Sequence, residues 1–133
     1  MLESLMSLLG GFQTALTPLN LLFCLGGVCM GMFVGVLPGL GPVAGTALLI
    51  PMTYDLEPVT AIIMLAGIFY DAMYGGTITS VLINTPGEGA SVITCIDGYQ
   101  MARQGRAGQA LGVAAIGSFV GGIVAIVCLT FLG

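Results

Sequence analysis

The sequence has no histidine and no lysine, and its only basic side chains are Arg103 and Arg106. Charged residues make up 6% of the chain, against roughly 25% in a soluble domain. Six acids against two arginines leave a net charge of -4. With no basic patch, nucleic acid is excluded as a partner. Without histidine, an imidazole acid–base site and a zinc site are excluded. The cysteines Cys24, Cys29, Cys95 and Cys128 show no CxxC spacing and read as small buried hydrophobes, not as metal ligands or disulfide partners. No nucleophile–base pair is visible, so no enzyme, metal or cofactor is expected. No signal peptide is expected: Met1–Gly10 carries Glu3 where a basic region would stand, and no A-x-A site precedes a polar chain. The first span is expected to direct insertion itself.

What is abundant is apolar. Hydrophobic residues account for 57% of the chain, and the mean hydropathy is +1.11. No charge falls between Ser4 and Tyr54, or between Ala107 and Gly133. A span needs ~20 apolar residues, so both stretches suffice. The expected class is an all-α integral membrane protein, a single membrane domain over 1–133. It should hold about three full transmembrane helices, with interrupted or re-entrant half-helices between them.

The interruptions are the informative part. Leu37–Pro42 reads Leu-Pro-Gly-Leu-Gly-Pro inside an apolar region. Proline removes a backbone donor and glycine is a poor helix former, so an unbroken helix is not expected there. In lipid, freed N–H and C=O groups must be satisfied by protein or by a water-filled cavity. Such a break either lines a substrate or ion site or is a kink repaired by neighbouring helices. Thr85–Gly89, reading Thr-Pro-Gly-Glu-Gly, repeats the Pro-Gly-x-Gly pattern. With 22 glycines in the chain the repeat could be coincidence, but two interrupted apolar segments are also the sequence pointer to a transporter site.

Around these breaks the chain divides simply. Residues 1–17 form a short interfacial helix, and 18–89 carry spans with two broken helices. Pro18 starts the first span, Leu19–Leu37, along which Gly27, Gly31, Gly35 and Gly39 recur every fourth residue as a packing seam. Val43–Met52 is too short to cross and is expected as a half-helix ended by Pro51, its N-terminus pointing at the break and favouring an anion. Pro58 restarts a helix, Val59–Tyr74 is the second span, and Gly75–Gly76 is expected to break it. Asp71 is then either a coupling-ion or hydrogen-bonding group, or a solvated acid at the interface. Thr77–Asn84 follows as a short segment, with Thr77, Ser80 and Asn84 on one side. Residues 90–109 are the polar loop, whose two arginines put it in the cytoplasm. Residues 110–133 form the last span, with Gly117 and Gly121 at GxxxG spacing.

Three stretches carry a resemblance. Val36–Pro51 (VLPGLGPVAGTALLIP), Tyr74–Gly87 (YGGTITSVLINTPG) and Asp97–Gly112 (DGYQMARQGRAGQALG) are similar, in sequence and order, to the large membrane subunit of tripartite tricarboxylate transporters, TctA-like. The resemblance covers the chain from about Pro18 onward. It implies a bacterial inner-membrane symporter for citrate-like carboxylates, driven by sodium or protons. A small membrane subunit and a periplasmic solute-binding protein would be its partners. Members of that family are much longer, with two related halves. The chain is therefore expected to be the N-terminal portion of a transporter, with the remaining half of the large subunit as a further partner. A non-transporting fragment or structural subunit packing through glycine faces is the alternative. With so few basic groups, a carboxylate would be held by backbone N–H groups and polar side chains. Gly39, Gly41, Gly45 and Thr46 are the candidates at the first break, and Asn84, Thr85 and Gly87 at the second. Asp71, Thr77 and break carbonyls would hold the coupling cation.

Overall fold

Two prolines, Pro18 and Pro58, each open a long apolar helix, where the missing N–H costs nothing. The computed structural model describes residues 1–133. The elements are α1 (Leu2–Ala15), α2 (Pro18–Gly35), α3 (Gly41–Leu49) continued by a 3-10 turn (Ile50–Thr53), α4 (Pro58–Ile83), a 3-10 turn (Gly89–Ser91), α5 (Val92–Arg103) and α6 (Ala107–Leu132). There is no strand. The helices long and apolar enough to cross a membrane are α2, α4 and α6, and Gly41–Thr53 is a shorter apolar piece. This is the all-α membrane architecture expected, three spans with shorter helices between them.

The most extensive contact is α2 on α4. A Cβ added to Gly27 would strike the carbonyl oxygen of Met64; on Gly31 it would strike that of Ile68, and on Gly35 that of Ala72. Residue numbers rise together along both helices, so α2 and α4 run parallel. Gly41–Thr53 must therefore carry the chain back across the thickness of this pair. The glycine seam predicted on α2 finds its partner inside the chain, and Gly39, beyond the end of α2, takes no part. The start of the pair is fixed by polar contacts. Thr60 Oγ1 donates to buried Asn20 Oδ1 at 2.6 Å, and Asn20 Nδ2 donates to Thr14 O at 2.6 Å.

Helix α4 is the core of the molecule. Met64, Ile68, Ala72 and Val81 are buried on it, Ile68 and Val81 completely. Its 26 residues extend ~39 Å at 1.5 Å per residue, more than the ~30 Å hydrocarbon layer.

Here the expectation from sequence is corrected. Gly75–Gly76 does not break the helix: α4 continues through both to Ile83, so the second span is Pro58–Ile83 and Thr77–Asn84 is no separate segment. Both glycines are buried against other main chain. They serve close approach, and their own helical hydrogen bonds persist. Asp71 consequently lies mid-helix, away from any helix end. The second break follows a complete span and does not divide one. The α-helical part of α3 does end at Leu49, just before Pro51 as expected, and the chain passes into a 3-10 turn over Ile50–Thr53, whose first turn takes the missing N–H of Pro51.

The last span packs little. Tyr74 Oη donates to Leu111 O at 3.1 Å, but Gly117 and Gly121 meet nothing within 4 Å. The GxxxG face is open in this chain.

Candidate functional site

The second break meets the end of α2, just ahead of the first break, on one level of α4. A Cβ on Gly75 would lie 2.8 Å from Gly35 Cα and C, where α2 ends. A Cβ on Gly87 would lie 2.5 Å from Gly76 Cα and 3.4 Å from Gly35 O. The end of α2, the middle of α4 and the second break therefore meet main chain to main chain. Gly76 stands ~10 Å short of the end of α4 at 1.5 Å per residue. The chain must double back after Ile83 to reach it.

Asn84 makes that reversal. It adopts φ 56, ψ 30, the left-handed cap that asparagine tolerates better than other non-glycine residues. The Thr85 N–H then donates to Thr79 O at 3.4 Å. Beneath the fold-back, Thr79 Oγ1 (3.0 Å) and Ser80 Oγ (2.7 Å) both donate to the carbonyl of Gly76. Hydroxyls bonded back in this way satisfy themselves inside the helix and tend to bend it.

Two depressions flank the second break. One, of about 530 Å³, is lined by Asn84, Pro86, Tyr99, Gln100 and Arg103, among others. The other, of about 410 Å³, lies between α4, the Glu88 segment and α6, and includes Tyr70, Thr77, Glu88, Thr94 and Ser118.

The chain matches the Tripartite tricarboxylate transporter TctA family over residues 21–133. It belongs to that family. Over 129 residues it is 57% identical to an Agrobacterium vitis protein described as "Uncharacterized 52.8 kDa protein in TAR-I ttuC' 3'region"; the match takes in 97% of this chain and 26% of that protein. The chain thus spans about a quarter of the length of this curated relative. No solved structure matches. TctA is a transporter family and not an enzyme class.

The TctA-family residues singled out from sequence fall into three groups. Gly39 (φ 93) and Gly41 (φ 65) adopt backbone conformations suited to glycine and face open space at the start of α3. Gly45 and Thr46 are turned inward. Gly45 packs on the Val34 side chain, and Thr46 Oγ1 donates to Pro42 O at 2.7 Å. At the second break, Asn84 lines the larger groove, Gly87 forms the junction, and Thr85 Oγ1 is engaged with Ile83 O at 3.3 Å.

The proposed cation residues do not come together. Asp71 lies between Gly67, which touches Cys24 and Val28, and Gly75, which touches Gly35. It therefore sits on the flank of α4 turned toward α2. Its Oδ2 is shielded and has no hydrogen-bond partner. Thr77 lies about 120° around α4 from Asp71 at 100° per residue, in the cleft toward α6.

Arg103, read from sequence only as a topology anchor, and Gln100, not singled out there, both line the groove beside Asn84. Their signal was Tyr99, Gln100 and Arg103 at helical spacing on α5, the helix that follows the second break. It could not be used without knowing that α5 folds back along α4, where Gly98 packs on Val81.

Proposed function

We propose that the chain belongs to the large membrane subunit of a tripartite transporter that takes up citrate-like di- and tricarboxylates, coupled to sodium or protons. The observation that carries this reading is the meeting of the second break with the end of α2 and the middle of α4 at Gly35, Gly76 and Gly87, beside a groove that holds Asn84, Gln100 and Arg103. A broken helix frees main-chain N–H groups for an anion. The groove adds an amide and one guanidinium, and guanidinium groups pair bidentately with carboxylates. Gly39 and Gly41 would let the substrate approach the first break closely, and Gly87 holds the second against the end of α2. Gly45, Thr46 and Thr85 act by fixing the two break segments. Asp71 and Thr77 lie on separate faces of α4, so a coupling ion would engage one of them and not both.

The partners in this reading are a small membrane subunit, a periplasmic solute-binding protein and the rest of the large subunit, in the bacterial inner membrane. The positive-inside tendency of Arg103 and Arg106 turns the α5–α6 connection to the cytoplasm. A second reading, a structural membrane piece that packs through glycine faces, draws on the open Gly117–Gly121 face of α6.

Uptake of labelled citrate into vesicles carrying the complete transporter tests the proposal. Asn84→Gly keeps the left-handed cap and removes the amide; Arg103→Gln removes the charge. Each should lower uptake ~10- to 100-fold, the value of a hydrogen bond to a charged group. Undiminished uptake in both variants overturns the assignment. Uptake that never depends on this chain supports the structural reading.

A further inference from the structure

The smaller cleft has an unusual donor set. In this chain the hydroxyls of Thr14, Thr46, Thr53, Thr79, Ser80 and Thr130 all donate to a main-chain carbonyl three or four residues back. That is the ordinary way a helical hydroxyl is satisfied in an apolar setting. Thr17, Thr60, Thr85 and Ser91 also have partners. Beyond Ser4 and Ser7 of exposed α1, the serines and threonines without one are Thr77, Thr94 and Ser118. All three line the cleft between α4, the Glu88 segment and α6.

The same cleft holds the carboxylate of Glu88 and the phenol of Tyr70. The Tyr70 phenol makes no side-chain hydrogen bond, while Glu88 closes a capping box: its side chain accepts from the Ser91 N–H, its own N–H donates to Ser91 Oγ at 3.2 Å, and Ser91 Oγ donates to Glu88 O at 2.9 Å. The carboxylate is therefore held in position by one main-chain N–H, and its other lone pairs are left for a ligand. No lysine or arginine lines the cleft. An anion would meet Glu88 without compensation. A hard cation would meet one negative charge and several neutral oxygens, the ligand type that such ions prefer. A single carboxylate balances a single positive charge, while divalent ions are ordinarily held by more of them.

We infer that this cleft is a binding site for a monovalent cation of the sodium class, held by the Glu88 carboxylate and the hydroxyls of Thr77, Thr94 and Ser118. Its role as the coupling site rests on the transport reading above; cation binding itself does not. The site also supplies a reason for the second break. Pro86–Gly87 turns the chain back so that Glu88 lines the same cleft as Thr77, which lies within the span. A continuous α4 would have carried the acid beyond the helix end.

The test is direct binding of radiolabelled sodium to the purified chain in detergent, with choline replacing sodium at constant ionic strength. The chain has no tryptophan and four tyrosines, so tyrosine emission, with Tyr70 in the cleft, gives a second readout. Saturable binding with an emission change is expected. It should weaken at least ~10-fold in Glu88→Gln and in Ser118→Ala, and Thr77→Ser should retain it where Thr77→Val does not. Thr130→Val, whose hydroxyl is bonded within α6 far from Glu88, should bind as the parent does. Ser118 is exposed, so its truncation leaves the fold intact. Absence of saturable binding overturns the inference, as does binding indifferent to Glu88→Gln and Ser118→Ala, or binding of calcium in preference to sodium. Sodium binding that persists in a chain whose complete transporter moves no carboxylate would sink the transport reading and leave the cation site standing.

Discussion

Gly31→Ala is the sharpest probe of the α2–α4 pair. A methyl group at this position would lie 2.9 Å from Ile68 Cα and 3.0 Å from Ile68 C, and would strike the Ile68 carbonyl oxygen. All three atoms are main chain, so no side chain can rotate away. Ordinary contact lies near 3.4 Å or beyond, so α2 must retreat by ~1 Å to clear the carbonyl oxygen, and a rigid helix retreats at Gly27 and Gly35 as well. Overpacking of this kind costs ~1–3 kcal/mol. The gain in helix propensity from glycine to alanine returns ~1 kcal/mol. A net loss of ~0–2 kcal/mol follows from the two. Gly26→Ala supplies the comparison: it sits on the same helix with nothing within 4 Å, so only the propensity gain of ~1 kcal/mol applies. The two substitutions should differ by ~1–3 kcal/mol in opposite directions. Thermal unfolding of the purified chain in detergent, followed by circular dichroism, measures the difference. If Gly31→Ala proves as stable as Gly26→Ala, the close parallel packing of α2 on α4 is wrong.

Other positions give separate checks. Thr60→Val removes the donor to Asn20 Oδ1 and should cost ~0.6–1.7 kcal/mol in the same unfolding measurement; no loss would mean that this contact does not fix the start of the pair. Asn84→Ala should lower stability by ~1–2 kcal/mol because alanine is strained at φ 56, whereas Asn84→Gly should not; equal stabilities would remove the left-handed cap from the account. Asp71→Asn, at a carboxylate whose Oδ2 has no partner, should leave the chain at least as stable in detergent yet stop uptake in the complete transporter; full uptake would release Asp71 from any coupling role.

Several features were legible in the chain itself. A near absence of charge over two long stretches fixes the solvent as lipid, because about twenty apolar residues have no other economical environment. Pro18 and Pro58 mark helix starts because a first turn has no use for the N–H that proline lacks. Leu37–Pro42 marks a break because two prolines and two glycines leave too few helical hydrogen bonds to sustain one. The three motif stretches identify the family, as the match over residues 21–133 bears out.

Glycine is where local reading gave out. The same residue type breaks a helix, reverses a turn or admits a neighbouring backbone, and only the neighbour decides among these. Gly39 and Gly41 turn the chain; Gly31 and Gly35 take α4 against them; Gly75 and Gly76, expected to end a helix, lie inside one because Gly35 and Gly87 pack on them. For the same reason the functional grouping was hidden. Thr77 and Glu88, or Asn84 and Arg103, share a cavity only because the chain doubles back at a left-handed asparagine. Composition determined the solvent, proline positions the helix starts, and the three motif stretches the family. The parallel pairing of α2 with α4, the meeting of the second break with the end of α2 and the sorting of polar groups into two clefts were decided in three dimensions, where one main chain rests directly on another and no periodicity in sequence records which.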